Sequence, residues 1–161
     1  MLSRFKHVPY YPPKPLLIWD GDCGFCKYWM LWYKNKTKGS VDYEPYQNMV
    51  DHIPGIPEEA YMEAIRLIET DGTVYDGPHA AYQALYYTNS KRALSKKYAR
   101  NPLFRWLSDF GYELVAKNRR TFFKLTKLAW GKDPRAPKRY WLWYLIGFVF
   151  LVAMTLIFLF T

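Results

Sequence analysis

The sequence predicts an α/β domain that is followed by basic helices and an apolar C-terminal helix. Apolar runs with strand-like spacing alternate with stretches of helical spacing as far as residue 88. The net charge changes from −3 over 1–90 to +12 over 91–139, and 140–161 has no charged side chain. Half of the residues are hydrophobic and a fifth are aromatic, which is enough to build a core.

The first strand and the first helix are predicted on either side of a turn. The run LLIWD at 16–20 is short and apolar and leads into Asp-Gly-Asp, which is typical of a buried strand stopped by a turn. A helix is predicted from Asp22 to about Lys36, with Asp22 as its N-cap. Aromatic residues repeat at helical spacing along it, at Phe25, Trp29, Trp32 and Tyr33.

The remaining elements complete the order βαβ(α)ββα. They are a strand at 40–47, a short helix at 57–62, a hairpin at 63–77 and a helix at 77–88. Asp71 and Gly72 form the expected hairpin turn, and Pro78 stands where proline favours a helix start. The chain is therefore divided into a proline-rich extended arm at 1–14, a C-x-x-C domain at 15–100, a helical connector at 101–139 and an apolar helix at 140–161.

The sequence of the connector predicts two helices, with a break between them near Gly111. The second helix has an apolar face formed by Leu114, Val115, Phe122, Leu125 and Ala129. Its opposite face carries the basic residues Lys117, Arg120, Lys124 and Lys127. Two interpretations stay open: the helix packs on the domain with a solvated basic face, or it lies at anionic lipid headgroups. No nucleic-acid motif accompanies the charge, so we expect no nucleic-acid partner.

The C-terminal run predicts a single transmembrane helix at 140–161. Its uncharged part starts at Trp141 and would span roughly 31 Å as a helix, close to the thickness of a bilayer's hydrocarbon core. Aromatic residues that are typical of a membrane interface stand at its start, at Trp141, Trp143 and Tyr144. Basic residues precede it, so the positive-inside rule places the N-terminal domain in the cytoplasm, and a bacterial inner membrane fits best. The alternative is a buried core helix.

Cys23 and Cys26 are the only cysteines of the chain. A single C-x-x-C pair closes too small a loop to stabilise a fold in the way that disulfides stabilise small secreted domains. A structural zinc site needs four ligands, and the sequence has no second ligand pair at zinc spacing, so we expect no metal or other cofactor. The spacing favours redox chemistry, and two buried core thiols are the alternative.

The start of a helix would give the two cysteines different roles. A helix N-terminus stabilises a thiolate, so Cys23 is the expected nucleophile and Cys26, one turn inside, is the expected resolving thiol. Lys27 would favour the thiolate, whereas Asp20 and Asp22 would oppose it by like-charge repulsion. One of the two aspartates could instead accept the proton of the resolving thiol.

The segment WDGDCGFCKYWMLWY resembles the signature of the DCC family of predicted thiol–disulfide oxidoreductases. DGTVYDGPHAAYQAL and GYELVAKNRRTF are similar to that family's hairpin with its following helix and to its closing Tyr…Ala-x-x-Arg helix, so the resemblance covers 15–123. It implies a thioredoxin-like fold, a central mixed sheet flanked by helices, with signature positions at Asp20, Gly21, Cys23 and Cys26. Unlike thioredoxins and glutaredoxins, the chain has no proline before the expected third strand, near 61–63.

These features predict a membrane-anchored, cytoplasm-facing thiol–disulfide oxidoreductase that uses the Cys23/Cys26 dithiol. Its partners would be a protein or small-molecule thiol or disulfide and the lipid bilayer. The alternative is an accessory single-span subunit of a larger membrane protein complex, in which the C-x-x-C pair is vestigial or structural.

Overall fold

A four-stranded mixed sheet forms the centre of the domain. The computed structural model describes residues 5–88 and 92–160, with the side chains of all of these except 92 and 153–160. The strands are β1 Leu16–Trp19, β2 Asp42–Pro45, β3 Arg66–Ile68 and β4 Val74–Asp76, in the order β2-β1-β3-β4. β1 is parallel to β2, and the β1–β3 and β3–β4 pairs are antiparallel. The predicted α/β class with a mixed sheet is confirmed.

Helices flank the sheet and continue beyond it. They are α1 Gly24–Thr37, α2 Glu58–Glu63, α3 Gly77–Tyr86, α4 Arg92–Arg100, α5 Pro102–Lys117, α6 Arg119–Trp130 and α7 Tyr140–Phe160. The core on the side of α1 and α3 includes Leu17, Met30, Leu67 and Ala80. The core on the side of α2 includes Val8, Ile18, Tyr61 and Ile68. Because both faces of the sheet are covered, β1 is a continuous apolar run rather than an alternating one.

The N-terminal arm pairs with the hairpin. Gly72 has a φ of 83°, a conformation that glycine adopts without a steric cost, and it lies in the predicted hairpin turn. The N–H of Val8 donates to the carbonyl of Gly72 at 2.9 Å, and the N–H of Val74 donates to that of Lys6 at 3.0 Å. Val8 is buried in the core, so the described part of the predicted extended arm is fixed to the edge of the sheet.

The connector differs from its prediction at the helix boundaries. α5 continues through Gly111, so the predicted break at that residue is wrong. One glycine costs a helix only about 1 kcal/mol, which packing of the neighbouring turns offsets. The break falls at Asn118, whose side-chain amide donates to the carbonyl of Leu114 at 2.9 Å. α4 is an additional helix, outside the predicted ones.

The displaced break divides the predicted amphipathic helix between α5 and α6. Lys117 is at the end of α5, whereas Arg120, Lys124 and Lys127 are on α6, and all four side chains are exposed. The apolar face is divided too, and Leu114 and Leu125 are about half exposed, at 48% and 50%. A lipid contact of the basic residues stays a prediction.

The predicted transmembrane helix at 140–161 is not confirmed. In the part of the chain that the structure describes, no helix is long and apolar enough to cross a membrane. The side chains of α7 are described as far as Val152. The remainder of the predicted span lies outside the described side chains. The predicted interface residues Trp141, Trp143 and Tyr144 are exposed on α7.

Candidate active site

The turn after β1 places Cys23 at the N-terminus of α1. The carbonyl of Asp20 accepts the N–H of Cys23 at 3.2 Å, which closes the turn. Cys23 has an extended backbone and its Sγ accepts the N–H of Cys26 at 3.2 Å, so Cys23 itself is the N-cap of α1. The predicted cap, Asp22, lies one residue earlier and accepts a hydrogen bond from the side-chain amide of Gln47 at 3.3 Å. The helix N-terminus therefore acts directly on the Cys23 sulfur.

The same turn requires glycine at position 21. A Cβ on Gly21 would lie 2.8 Å from Oε1 of Gln47 and 2.9 Å from Cβ of Pro45. The N–H of Gly21 donates to the same oxygen of Gln47 at 3.2 Å. Close packing against the end of β2 thus fixes the backbone that presents Cys23.

The two cysteine sulfurs are in contact. Both thiols are free, and the thiol of Cys26 donates to the Sγ of Cys23 at 2.6 Å. Cys26 is buried, with 8% of its surface exposed, whereas Cys23 is half-buried. A reagent from solvent therefore meets Cys23 first, with Cys26 behind it.

This contact shifts the pKa values of the two thiols in opposite directions. The hydrogen bond from Cys26 lowers the pKa of Cys23 from its ordinary 9.0 to about 6. Burial opposes the shift, while the N–H of Cys26 and the charge of Arg119 add to it. The pKa of Cys26 is raised, first because its thiol donates to Cys23 and then because it is buried. At neutral pH the pair thus holds a thiolate at Cys23 and a proton at Cys26.

Arg119, at the start of α6, supplies positive charge beside the pair. Its Nη1 lies 3.3 Å from Oδ2 of Asp20, and its Nη2 donates to the carbonyls of Met62 and Glu63 at 2.7 and 2.9 Å. Asp20 acts in the opposite direction and raises the pKa of Cys23. Lys27, which was expected to favour the thiolate, has an exposed side chain. The Ala-x-x-Arg segment at 116–119 carries a sequence signal for Arg119, but only the fold brings it to Asp20.

The segment before β3 is held by side chains rather than by a proline. The described backbone contains no cis peptide bond. Arg119 binds two carbonyls of this segment, and the N–H of Ile65 donates to the hydroxyl of Tyr112 at 3.1 Å. α6 also covers the motif, since a Cβ on Gly24 would lie 3.0 Å from the ring of Phe123. The C-terminal helices are therefore part of the cysteine site.

The predicted membrane-surface and transmembrane residues do not bind the cysteine pair. Among the residues that the structure describes, neither cysteine forms a hydrogen bond or ion pair with any of Lys117, Arg120, Lys124, Lys127, Trp141, Trp143 and Tyr144. The structure brings together Asp20, Gly21, Asp22, Cys23 and Cys26 on one turn and adds Arg119, Gln47 and Phe123 from distant parts of the chain.

Replacing Arg119 with methionine is expected to raise the pKa of Cys23. The substitution removes the attraction to the thiolate and leaves Asp20 unpaired, and both changes disfavour the charged sulfur. The neighbouring Arg120→Met is the matched control, because it removes the same charge from an exposed position on the same helix. The pKa is measured from the ultraviolet absorbance of the thiolate. Equal pKa values of Cys23 in Arg119→Met and Arg120→Met would contradict the role of Arg119.

One of three comparisons with known proteins gives a match, and it agrees with the geometry of the cysteine site. No curated protein and no solved structure matches the chain. The family model of the DCC1-like thiol-disulfide oxidoreductases matches residues 17–125, which extend from β1 into α6 and include both cysteines and Arg119. This match covers more than half of the chain. We conclude that the chain belongs to the DCC1-like thiol-disulfide oxidoreductase family.

Proposed function

We propose that this chain exchanges thiols and disulfides through Cys23. The observation that carries the proposal is the half-buried Cys23 sulfur with a pKa of about 6, which accepts the proton of a buried second thiol at 2.6 Å. About nine-tenths of a thiol with this pKa is thiolate at pH 7, and the thiolate is the nucleophile in exchange. The position of the pair at the N-terminus of α1, with the strand order β2-β1-β3-β4, supports a thioredoxin-like arrangement.

The proposed reaction has two exchange steps. The Cys23 thiolate attacks one sulfur of a substrate disulfide, the substrate S–S bond breaks, and its other sulfur leaves as a thiolate. Cys26 then gives up its proton and attacks the Cys23 sulfur, which forms the Cys23–Cys26 disulfide and releases the second substrate thiolate. A dithiol or a low-molecular-weight thiol reduces this disulfide and completes the cycle.

Asp20 is the candidate acceptor for the Cys26 proton. It lines the same cavity as Cys26, and its charge acts on both sulfurs. Its ion pair with Arg119 keeps the carboxylate in place while Cys26 is still protonated. The substrate is a protein or small-molecule disulfide, as the family implies.

Two serine variants test the roles of the sulfurs. Cys23→Ser is expected to abolish the reduction of hydroxyethyl disulfide, because the nucleophile is lost. Cys26→Ser is expected to react once and then to accumulate a mixed disulfide at Cys23, because the resolving thiol is lost. Turnover is followed in a coupled assay, and the trapped adduct is identified by intact mass. Activity of Cys23→Ser equal to that of the unmodified chain would exclude the mechanism.

The alternative role as an accessory subunit has one supporting feature. The outer face of α5 exposes apolar side chains at helical spacing, at Leu103, Trp106, Leu107, Phe110 and Leu114. Such a face favours a partner. If both cysteines prove inert in the serine test, the C-x-x-C pair is structural and the subunit role takes precedence. A membrane location with the N-terminal domain in the cytoplasm stays a prediction.

A further inference from the structure

A lysine of α1 lies beside Cys23 on the solvent side of the cysteine turn. Lys27 follows Cys23 by one helical turn: its N–H donates to the carbonyl of Cys23 at 2.9 Å, and its side chain is exposed. Residues four positions apart at a helix place their Cβ atoms about 5–6 Å from each other on the same face. A cation therefore stands next to the half-buried Cys23.

Lys127 of α6 supplies a second cation at the same turn. Its Nζ lies 3.8 Å from the centroid of the Phe123 ring, and that ring would lie 3.0 Å from a Cβ on Gly24. Gly24 directly follows Cys23 in the chain, so one aromatic ring separates the ammonium group of Lys127 from the cysteine turn. The side chain of Lys127 is exposed, and the contact with the ring holds its charge in this position.

Nearby carboxylates do not cancel the charges of these two lysines. Among the residues that the structure describes, neither lysine side chain forms an ion pair or a hydrogen bond. The sequences of α1 and α6 contain no acidic residue. Of the two carboxylates on the turn, Asp20 pairs with Arg119 at 3.3 Å, and Asp22 remains to oppose both lysines. The surroundings of the Cys23 sulfur thus carry an excess of positive charge.

The two lysines act on an incoming molecule more than on the sulfur itself. Water screens both ammonium groups from the half-buried sulfur, and neither is among the causes that lower the pKa of Cys23. A disulfide that reacts with Cys23 lies outside the sulfur, on the side where both lysines are exposed. Their charge should therefore attract an anionic substrate and reduce its repulsion from the thiolate.

We propose that Cys23 selects small disulfides that carry carboxylate groups close to the S–S bond. The inference rests on the exchange reaction proposed above and names its substrate class. A carboxylate of the substrate lies between Lys27 and Lys127 while the Cys23 thiolate attacks the nearer sulfur. The bond between Cys23 and this sulfur forms, the substrate S–S bond breaks, and the other half leaves as a thiolate with its own carboxylate. Because both lysines are adjacent to the turn, the carboxylate must be within a few bonds of the sulfur.

Three small disulfides of similar size serve as probes. Dithiodipropionate carries carboxylates, cystamine carries ammonium groups, and hydroxyethyl disulfide is uncharged. The full-length Cys26→Ser chain isolates the first exchange step, and intact mass follows the formation of the mixed disulfide at Cys23. Each rate constant is compared between variants for the same disulfide, so that differences in the pKa of the leaving thiol cancel.

A pair of double variants in this background tests the two lysines. Lys27→Gln with Lys127→Gln removes both charges, whereas Lys34→Gln with Lys96→Gln is the matched control, which removes the same total charge from exposed positions further along α1 and on α4. At about 0.01 M salt the first variant should react about three- to fivefold more slowly with dithiodipropionate, and faster with cystamine by a similar factor. Its rate with hydroxyethyl disulfide should not change. At about 1 M salt these differences should disappear.

The outcomes separate the charge preference from the exchange reaction. An unchanged dithiodipropionate rate in the folded first variant, or an equal loss in the control, would overturn the inference and leave the exchange reaction standing. An equal loss with hydroxyethyl disulfide would also overturn it, because the substitutions would then have disturbed the turn rather than a charge preference. Failure of the unmodified chain and of Cys26→Ser to react with all three disulfides would overturn the exchange reaction, and this inference with it. Circular dichroism establishes that each variant is folded.

Discussion

Cys26→Ala is expected to raise the pKa of Cys23 from about 6 towards 9.0. The hydrogen bond donated by the Cys26 thiol is the largest cause of the lowered value, and alanine removes that donor. The N–H of residue 26 and the charge of Arg119 remain, so a part of the shift should persist. We expect a larger increase than in Arg119→Met, because the charge of Arg119 is a smaller cause.

Cys26→Ser is the matched control for this prediction. Serine cannot resolve a mixed disulfide, but its hydroxyl can still donate a hydrogen bond to the Cys23 sulfur. We therefore expect a low Cys23 pKa in the serine variant and a raised one in the alanine variant, although neither completes the catalytic cycle. A Cys23 pKa that stays near 6 in both variants would show that the thiol hydrogen bond does not lower it.

The rate of alkylation by iodoacetamide gives a second measurement. At pH 6 about half of the Cys23 thiols are ionised in the unmodified chain, and far fewer would be ionised in Cys26→Ala. The remaining thiolates are intrinsically more nucleophilic at a higher pKa, which offsets a part of the loss. The net expectation is a rate about tenfold lower at pH 6, with the order reversed above pH 9, where both thiols are largely ionised and the sulfur of higher pKa is the better nucleophile.

The stability of the reduced protein should follow the same ionisation. Because the pKa of Cys23 is lower in the folded state, the unfolded chain binds more protons between pH 6 and 9, and the free energy of unfolding rises with pH there. This contribution to stability is fully present above pH 9.0, the ordinary pKa of Cys23 in the unfolded chain, and it is lost as the pH falls through about 6, its pKa in the folded chain. It should be smaller in Cys26→Ala.

The cysteine turn could be predicted because its signals are local. An apolar run, a Gly-containing turn and helical spacing lie within one stretch of sequence, and β1, the turn and α1 follow from them. The N-cap is Cys23 rather than the predicted Asp22, because either of these two neighbouring side chains can accept a hydrogen bond from the first turn of a helix. The contact of Asp22 with Gln47, which is distant in sequence, leaves Cys23 as the cap.

Arg119 and the cavity that Cys26 lines could not be placed from the sequence, because both depend on packing between distant segments. Arg119 is 99 positions from Asp20, and only the packing of α6 across α1 brings the two together. The break near Gly111 was expected from local propensity alone. In the structure Gly111 faces the cavity within a continuous helix, and the break occurs at Asn118, where the side chain caps the preceding turn.

The second large effect is expected from the buried ion pair of Arg66 and Asp76. Nε of Arg66 lies 3.1 Å from Oδ1 of Asp76, and the two side chains are 2% and 3% exposed. Nη1 of Arg66 also donates to the carbonyls of Ala60 and Ala64. Burial lowers the pKa of Arg66, and Asp76 opposes that shift. The pair thus joins β3 and β4 to the segment before β3.

Either single replacement, Asp76→Ala or Arg66→Met, is expected to cost about 3–5 kcal/mol of unfolding free energy, because it breaks a buried ion pair by removing one of its two charges. The double replacement Arg66→Met with Asp76→Leu should cost much less than the sum, since no buried charge remains. Urea unfolding of the reduced chain measures all three values. Single variants that lose less than about 1 kcal/mol would show that water reaches the remaining charge.

The Arg66→Met variant also tests whether the buried ion pair influences the pKa of Cys23. The carbonyls that Arg66 holds, on Ala60 and Ala64, flank the two carbonyls that receive Arg119, on Met62 and Glu63. Losing Arg66 should loosen this segment and, with it, the position of Arg119 beside the cysteines. Arg66→Met should therefore raise the pKa of Cys23 in the still-folded protein, although Arg66 is not among the causes of its shift. An unchanged pKa would mean that Asp20 alone is sufficient to hold Arg119 in place.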